Sequence, residues 1–284
     1  MPKTHKKLSA YVADMKVANE EDLLKGTILT AESHKISVSN EHFNGDYLST
    51  IVYLLPFNLS GVNVCENSTV SCREICLGYK SGHADMIRKG ENMNDTRLAR
   101  LRRVWLLQRF QDTFMAKLIK ELTSFCKKAQ KKGAIPAFRF NGSSDLPVEE
   151  FTMPNGDNMI EHFGEEYGLV CYDYTKDLKR GLNYIMGKMP KNYHLTFSYT
   201  PETEEQAMIA LDAGINVAVA FDTKDKTTFL GNRFLGSTII DGDLHDLRFT
   251  DPNGGYIVGL TKKGRHTGDF FVNPDNTTPF GEVA

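Results

Sequence analysis

Three cysteines fall within twelve residues, in Val64-Cys65-Glu66-Asn67-Ser68-Thr69-Val70-Ser71-Cys72-Arg73-Glu74-Ile75-Cys76-Leu77-Gly78-Tyr79. Cys72 and Cys76 are four apart, so one helical turn would set both thiolates on one side. Six residues separate Cys65 from Cys72, enough for a loop to return the third sulfur. Three soft thiolates in a short loop suit zinc, copper or an iron–sulfur cluster. Structural zinc is four-coordinate and often built from paired C-x-x-C knuckles, a spacing neither pair has. Clusters accept more varied spacings, and a [4Fe–4S] cluster on three cysteines leaves one iron open. The expectation is therefore a [4Fe–4S] cluster on Cys65, Cys72 and Cys76, with zinc or reduced structural thiols as alternatives. The other two cysteines, Cys126 on a helical stripe and Cys171 in a strand, read as small buried apolar residues.

Further polar groups cluster at the ends of apolar runs. Asn141-Gly142-Ser143-Ser144-Asp145 follows a β-like run directly and offers amide, hydroxyl and carboxylate groups, although the same letters make a tight turn. Lys176 ends another run and could meet an anion. His194 lies in a strand with a polar face and could act as an acid–base or a metal ligand. Asp241-Gly242-Asp243-Leu244-His245-Asp246 concentrates carboxylates and an imidazole, which suits a hard cation or a turn. These residues define the candidate site: catalytic His194, Asp145 and Lys176, and ligand-binding Arg139, Asn141, Ser143, Ser144, Asp173, Thr175, Ser198, Asp241, Asp243 and His245.

The elements that must position these groups alternate in type. A strand over residues 49–57 precedes the cysteine loop, and a helical stretch over 95–132, broken near Gln111-Asp112, follows it. Short β-like runs recur at 137–141, 169–175, 193–199, 216–221, 238–241 and 256–260, with a helix over 201–211 capped by Gly214. That order predicts an α/β fold with a parallel sheet, open or curled into a partial, distorted TIM-barrel-like domain bearing the cysteine loop after its first strand. Several strands are polar on one face: Arg139 and Asn141 oppose Phe138 and Phe140, and His194, Thr196 and Ser198 oppose Leu195 and Phe197. Either the sheet has one wet face, or its inner face lines a polar chamber. Residues 1–45 are weakly patterned and read as an arm or cover, leaving 46–284 as one domain.

The 284 residues carry 34 basic and 36 acidic side chains, a net charge of −2 that attracts neither nucleic acid nor an anionic membrane. No apolar run reaches the ~18 residues of a membrane span. The polar start Met1-Pro2-Lys3-Thr4-His5-Lys6-Lys7 lacks a secretory pattern, so the reduced cytoplasm is the expected location. The basic run from Arg97, Arg100, Arg102, Arg103 and Arg109 to Lys127, Lys128, Lys131 and Lys132 reads as the solvated face of an amphipathic helix rather than a nucleic-acid surface.

A strand, a three-cysteine loop ending Cys76-Leu77-Gly78-Tyr79 and a β/α series resemble the radical S-adenosylmethionine enzymes. The spacing here is C-x6-C-x3-C where those enzymes have C-x3-C-x2-C. That resemblance implies S-adenosylmethionine as a cosubstrate. The chain also resembles the phage-type gene product 88 proteins over residues 49–270. That likeness rests on the cysteine loop, on Arg139–Pro147, Tyr172–Lys176 and Asn192–Ser198, and on Ile240–Phe249. It implies a phage or bacterial protein of the host cytoplasm and brings no reaction with it. Three function classes follow: an enzyme using an open iron on a small polar substrate, by radical chemistry or as a Lewis acid in hydrolysis or elimination; an electron-transfer or redox-sensing cluster protein; and a zinc-stabilised nucleic-acid-binding protein. The oligomeric state has no signal in the sequence.

Overall fold

The computed structural model describes residues 6–31, 33–86, 93–263, 268 and 270–281. Its centre is a sheet of nine described strands: β1 (Leu29–Thr30), β2 (Tyr47–Val52), β3 (Ile135–Arg139), β4 (Val170–Thr175), β5 (Tyr193–Ser198), β6 (Val217–Phe221), β7 (Arg233–Phe234), β8 (Ser237–Asp241) and β9 (Ile257–Thr261). Their spatial order is β1-β2-β3-β4-β5-β6-β9-β8-β7. From β2 to β8 all neighbours are parallel, and β1 and β7 add short antiparallel edges.

The fold is thus α/β with a mostly parallel sheet, but the sheet is open. Among the described residues no pairing joins β1 to β7, so a closed TIM barrel is not formed. The edge chemistry explains this. Leu235 (φ 50) and Gly236 (φ 79) turn β7 back on β8 in a tight hairpin, the two-residue left-handed turn that matches strand twist. That hairpin occupies the edge where another parallel strand would add.

Eleven helices are described: α1 (Leu8–Val17), α2 (Glu20–Leu23), α3 (His34–His42), α4 (Val70–Glu74), α5 (Leu77–Lys80), α6 (Gly82–Asp85), α7 (Asp95–Arg109), α8 (Gln111–Lys131), α9 (Met159–Tyr167), α10 (Leu178–Ile185) and α11 (Glu204–Asp212). The long helical stretch breaks at Phe110 (φ −138), one residue before the expected point, and Gly133 (φ 69) ends it. Residues 6–45, read from sequence as an arm or cover, supply three helices and the edge strand β1, and Leu23, Ile28 and Leu29 join the main core. The cysteine loop therefore follows the second strand of the chain, which is the first of the parallel series. That strand also stops at Val52, short of the expected 57, because the chain leaves the sheet before Pro56.

Side-chain alternation assigns the two faces. Phe138, Phe140, Cys171, Tyr193 and Leu195 pack with Leu118, Leu122, Cys126 and Phe163 of the covering helices. Val217, Val219 and Ile257 continue that face against Ala207 and Leu211 of α11. On the opposite face Ala137 and Tyr172 meet Leu247, with Phe43, Tyr47 and Phe249 around them. The segment after β8 thus folds back and fills the lower part of the second face, and the chamber is confined to the part above it. Leu247 is fully buried there. Leu247→Ala should lower the unfolding free energy by about 2–5 kcal/mol in urea titrations, whereas a loss below about 0.5 kcal/mol would mean that this segment does not plug the sheet.

Candidate functional site

The cysteine loop is seated on the loop that follows β3. Gly142 N–H donates to the Val52 carbonyl (3.0 Å), Ser143 Oγ to the Leu54 carbonyl (2.6 Å) and Asp145 N–H to the Val64 carbonyl (2.8 Å). The Cys65 thiol lies 3.7 Å from the Ser143 carbonyl. The contact is flush: a Cβ on Gly78 would fall 2.4 Å from Ser143 Cβ, and one on Gly142 would fall 2.5 Å from Ile51 Cγ2. Thr69 caps α4 through the Cys72 amide (3.3 Å). Glu202, beyond β5, accepts from Ser71 N–H (2.9 Å) and Ser71 Oγ (2.6 Å), and these bonds hold its pKa down at about 2 against the raising effect of burial. The single helical turn expected to join Cys72 to Cys76 is broken at Ile75 (φ −113), so the two thiols come from the middle of one short helix and the N-cap of the next.

The arginines of α7, read from sequence as a solvated face, have a different task. Arg97 donates to the carbonyls of Ala84 (2.7 Å) and Tyr79 (2.9 Å) and stacks on the Tyr79 ring. Arg100 donates to the Gly78 carbonyl, and Arg103 to those of Thr27 (3.0 Å) and Tyr53 (2.9 Å). They tie down the loop carbonyls on either side of the cysteines. Sequence periodicity shows which helix face is polar but carries no record of distant carbonyls.

A cavity of about 400 Å³ opens at the C-terminal ends of the parallel strands, where open α/β sheets place their chemistry. Thirteen of the sixteen candidate site residues line it: Cys65, Cys72, Cys76, Arg139, Asn141, Ser143, Ser144, Asp145, Thr175, Lys176, Ser198, Asp243 and His245. Asp173, His194 and Asp241 do not. Asp173 shares the helix-covered face with Cys171 and accepts from Asn141 N–H (2.7 Å), Asn141 Nδ2 (3.1 Å) and Tyr193 OH (3.0 Å). His194 sits lower, bonded at Nδ1 to Tyr184 OH (3.2 Å) with its pKa lowered by burial. Asp241 pairs with Lys226 (2.5 Å). Period-two patterning identified polar faces correctly but could not say which face the helices cover. The sequence reading also missed Lys35, Tyr174 and Asp246 as lining residues. Asp246 was legible as the last carboxylate of the Asp241–Asp246 run, while nothing in the pattern around Lys35 marks it.

Beneath the cysteines lies a buried ion network. Arg180 of α10 forks onto Glu149 (2.7 Å twice) and reaches Asp145 (2.6 Å) and Tyr193 OH (3.1 Å). Asp145 also accepts from Lys176 N–H (2.9 Å) and Thr175 Oγ1 (3.3 Å). Asn141 Oδ1 accepts from Ser144 Oγ (2.8 Å) and Leu146 N–H (2.9 Å). Asn141, Ser144 and Asp145 are therefore engaged in shaping their own loop. At the other end of the cavity, Asp246 takes Arg139 (2.8 Å) and Lys35 of α3 (3.1 Å). Burial alone would raise its pKa, but Arg139, Lys35 and Arg248 hold it well below the usual carboxylate range. Asp243 is satisfied by Thr261 and Lys263 (2.6 Å). His245 is pushed down to about 4 by burial, with Arg248 and His42 adding to the effect, so it is neutral at pH 7.

Burial pushes the Cys65 and Cys76 thiols up to about 12 and raises Cys72 as well. Such thiols stay protonated unless a bound cation displaces the protons. The Phe57 amide faces Cys65 Sγ (3.4 Å), and the Gly78 and Tyr79 amides favour thiolate at Cys76. Lys176 Nζ donates to Ser198 O (2.7 Å), Ser198 Oγ (3.0 Å) and Tyr199 O (3.5 Å). Among the described residues no carboxylate forms an ion pair with it, and Cys72 is the group that most favours its charge. Ser68 also lines the cavity, and its Oγ is buried without a hydrogen-bond partner among the described residues. Among the described residues no three His, Cys, Asp or Glu side chains are grouped so as to hold a single metal ion.

A family model described as gene product 88 matches residues 22–274. No curated protein and no solved structure matches the chain, and no described helix is long and apolar enough to cross a membrane.

The Asp173 carboxyl is pushed up to about 7 by burial, against the pull of Arg139 and the Asn141 amide. A carboxyl that keeps its proton longer in the folded state makes stability fall as pH rises from its unfolded value to its folded one. Between pH ~4 and pH 7, wild type should therefore lose stability relative to Asp173→Asn by up to about 1.4 kcal/mol per pH unit. Chemical unfolding at a series of pH values checks this, and parallel stability curves would contradict it.

Proposed function

The chain belongs to the gene product 88 family, and we propose that it is an iron–sulfur enzyme holding a [4Fe–4S] cluster on Cys65, Cys72 and Cys76. One observation carries this reading: three thiols of a single loop line one cavity, beside a lysine that forms no ion pair with a carboxylate among the described residues. Thiolates around a cluster would add counter-charge to what Asp145 and Glu202 already offer Lys176 from beyond ion-pair distance. The chemistry of the donors fits as well. Three thiols lining one cavity are soft donors of the kind an iron–sulfur core takes, one iron to each thiolate. The amides facing Cys65 and Cys76, and the orphaned Ser68 hydroxyl, are donors of the kind that stabilise cluster sulfur.

When bound, such a cluster supplies an open iron, for Lewis-acid activation of a substrate oxygen or for one-electron reduction of S-adenosylmethionine. The remaining work belongs to the side chains. Lys176, with its three donors directed at backbone and hydroxyl oxygens, supplies fixed positive charge rather than a mobile proton. Lys35 spends one hydrogen bond on Asp246 and keeps N–H groups for a polar group of a small substrate. Arg139, stacked 4.5 Å from the Tyr174 ring, fixes that carboxylate behind it. Ile75, Leu77, Phe270 and Phe271 give the rest of the lining an apolar surface. The room for a ligand favours an enzyme over an electron carrier, and the run of parallel strands from β2 to β8 would make this a partial barrel with the cluster at its rim. Action in the host cytoplasm accords with the reducing conditions such a cluster needs.

Reconstitution with iron and sulfide under anaerobic conditions tests the ligand set. Cys65→Ala, Cys72→Ala and Cys76→Ala should each lose most of their iron, whereas Cys126→Ala, fully buried in the main core, should retain it. Full iron in any of the first three variants would overturn the assignment. On the reduced wild type, an EPR spectrum altered by S-adenosylmethionine selects the radical branch, and an unaltered one selects hydrolase and lyase assays.

A further inference from the structure

The cysteine loop carries three hydroxyls between its first two thiols, and two of them have structural work. Thr69 Oγ1 caps the Cys72 amide, and Ser71 Oγ is bound by Glu202. Ser68 has neither duty. Its amide closes a turn on the Cys65 carbonyl (3.1 Å), which fixes the residue's place in the loop. Its hydroxyl is buried, makes no hydrogen bond among the described residues and belongs to a residue lining the same cavity as the three thiols. A serine normally finds a capping or backbone partner within its own loop, and here the neighbouring threonine has taken that position. A hydroxyl sequestered without a partner, on a wall shared with three sulfurs, is built for an acceptor that arrives with the bound group.

We infer that Ser68 donates an O–H···S hydrogen bond to the cluster held by Cys65, Cys72 and Cys76, and so raises its reduction potential. The inference rests on the cluster reading above and deepens it. Ser68 is a positioning residue of the bound group: it ligates no iron, and its hydroxyl proton remains on oxygen. A donor to cluster sulfur stabilises the more negative, reduced state, so the potential rises with the bond and falls without it.

Three proteins reconstituted anaerobically decide the matter: wild type, Ser68→Ala and Ser68→Thr. Iron and sulfide per chain are measured first, then the midpoint potential by dye-mediated titration followed by EPR. Ser68→Ala should keep its iron and titrate at a lower potential, and Ser68→Thr, which restores a hydroxyl, should return toward wild type. Loss of iron from the alanine variant alone, with the threonine variant loaded, would equally show that the hydroxyl serves the cluster. Unchanged potentials in two loaded variants would overturn the inference while leaving the cluster in place. A wild type that takes up no iron would overturn the cluster reading and this inference together.

Discussion

The arrangement depends on the close seating of the cysteine loop upon the loop after β3. Two glycines make it possible, since Gly78 and Gly142 sit where any side chain would collide with Ser143 or with the end of β2. Beneath that contact, Arg180 gathers Asp145, Glu149 and Tyr193 into a buried network that makes the lower loop rigid. Buried ions of this kind are weak evidence for stability, because desolvation offsets much of their attraction. Their use here is geometric. The side-chain polar groups of Asn141, Ser144 and Asp145 are all committed to neighbours, which braces the platform under the thiols.

On that platform the cavity has two ends of different chemistry. One holds three thiols, an unpartnered hydroxyl and a lysine whose contacts are all neutral oxygens. The other holds Asp246 between Arg139 and Lys35, brought from β3, the segment after β8 and α3. Those three pieces are more than a hundred residues apart in the chain, and the fold-back of the segment after β8 joins them. The same fold-back that fills the sheet's second face with Leu247 and Phe249 therefore delivers the carboxylate at the far end of the cavity. Packing and site share one device.

Much of this was legible in the sequence, for a local reason. Parallel strands with connecting helices place each strand's following loop at one edge, so groups just after β-like runs converge whatever the exact topology. Asp145 and Lys176 were found in that way, whereas Cys65 came from the cysteine spacing, Ser198 from a polar strand face and Asp243 from its acidic run. The failures also have physical causes. Asp173 looks like a chamber residue by alternation, yet alternation carries no label for the covered face, and the helices took the side of Cys171. The arginines of α7 resemble a solvated stripe because their carbonyl partners lie in loops with no sequence mark. Lys35 meets Asp246 across 211 residues, and β1 is two residues long, too short for periodicity to register. The open edge depends on a hairpin turn at Leu235-Gly236, whose effect on barrel closure is visible only in three dimensions.

The central claim is that the three thiols hold an inorganic iron–sulfur core, and metal analysis of the wild-type protein purified without oxygen meets it most directly. About four irons and as many sulfides per chain, with zinc absent, is the predicted result. Stoichiometric zinc without sulfide, or a protein that binds neither metal after reconstitution, would contradict it.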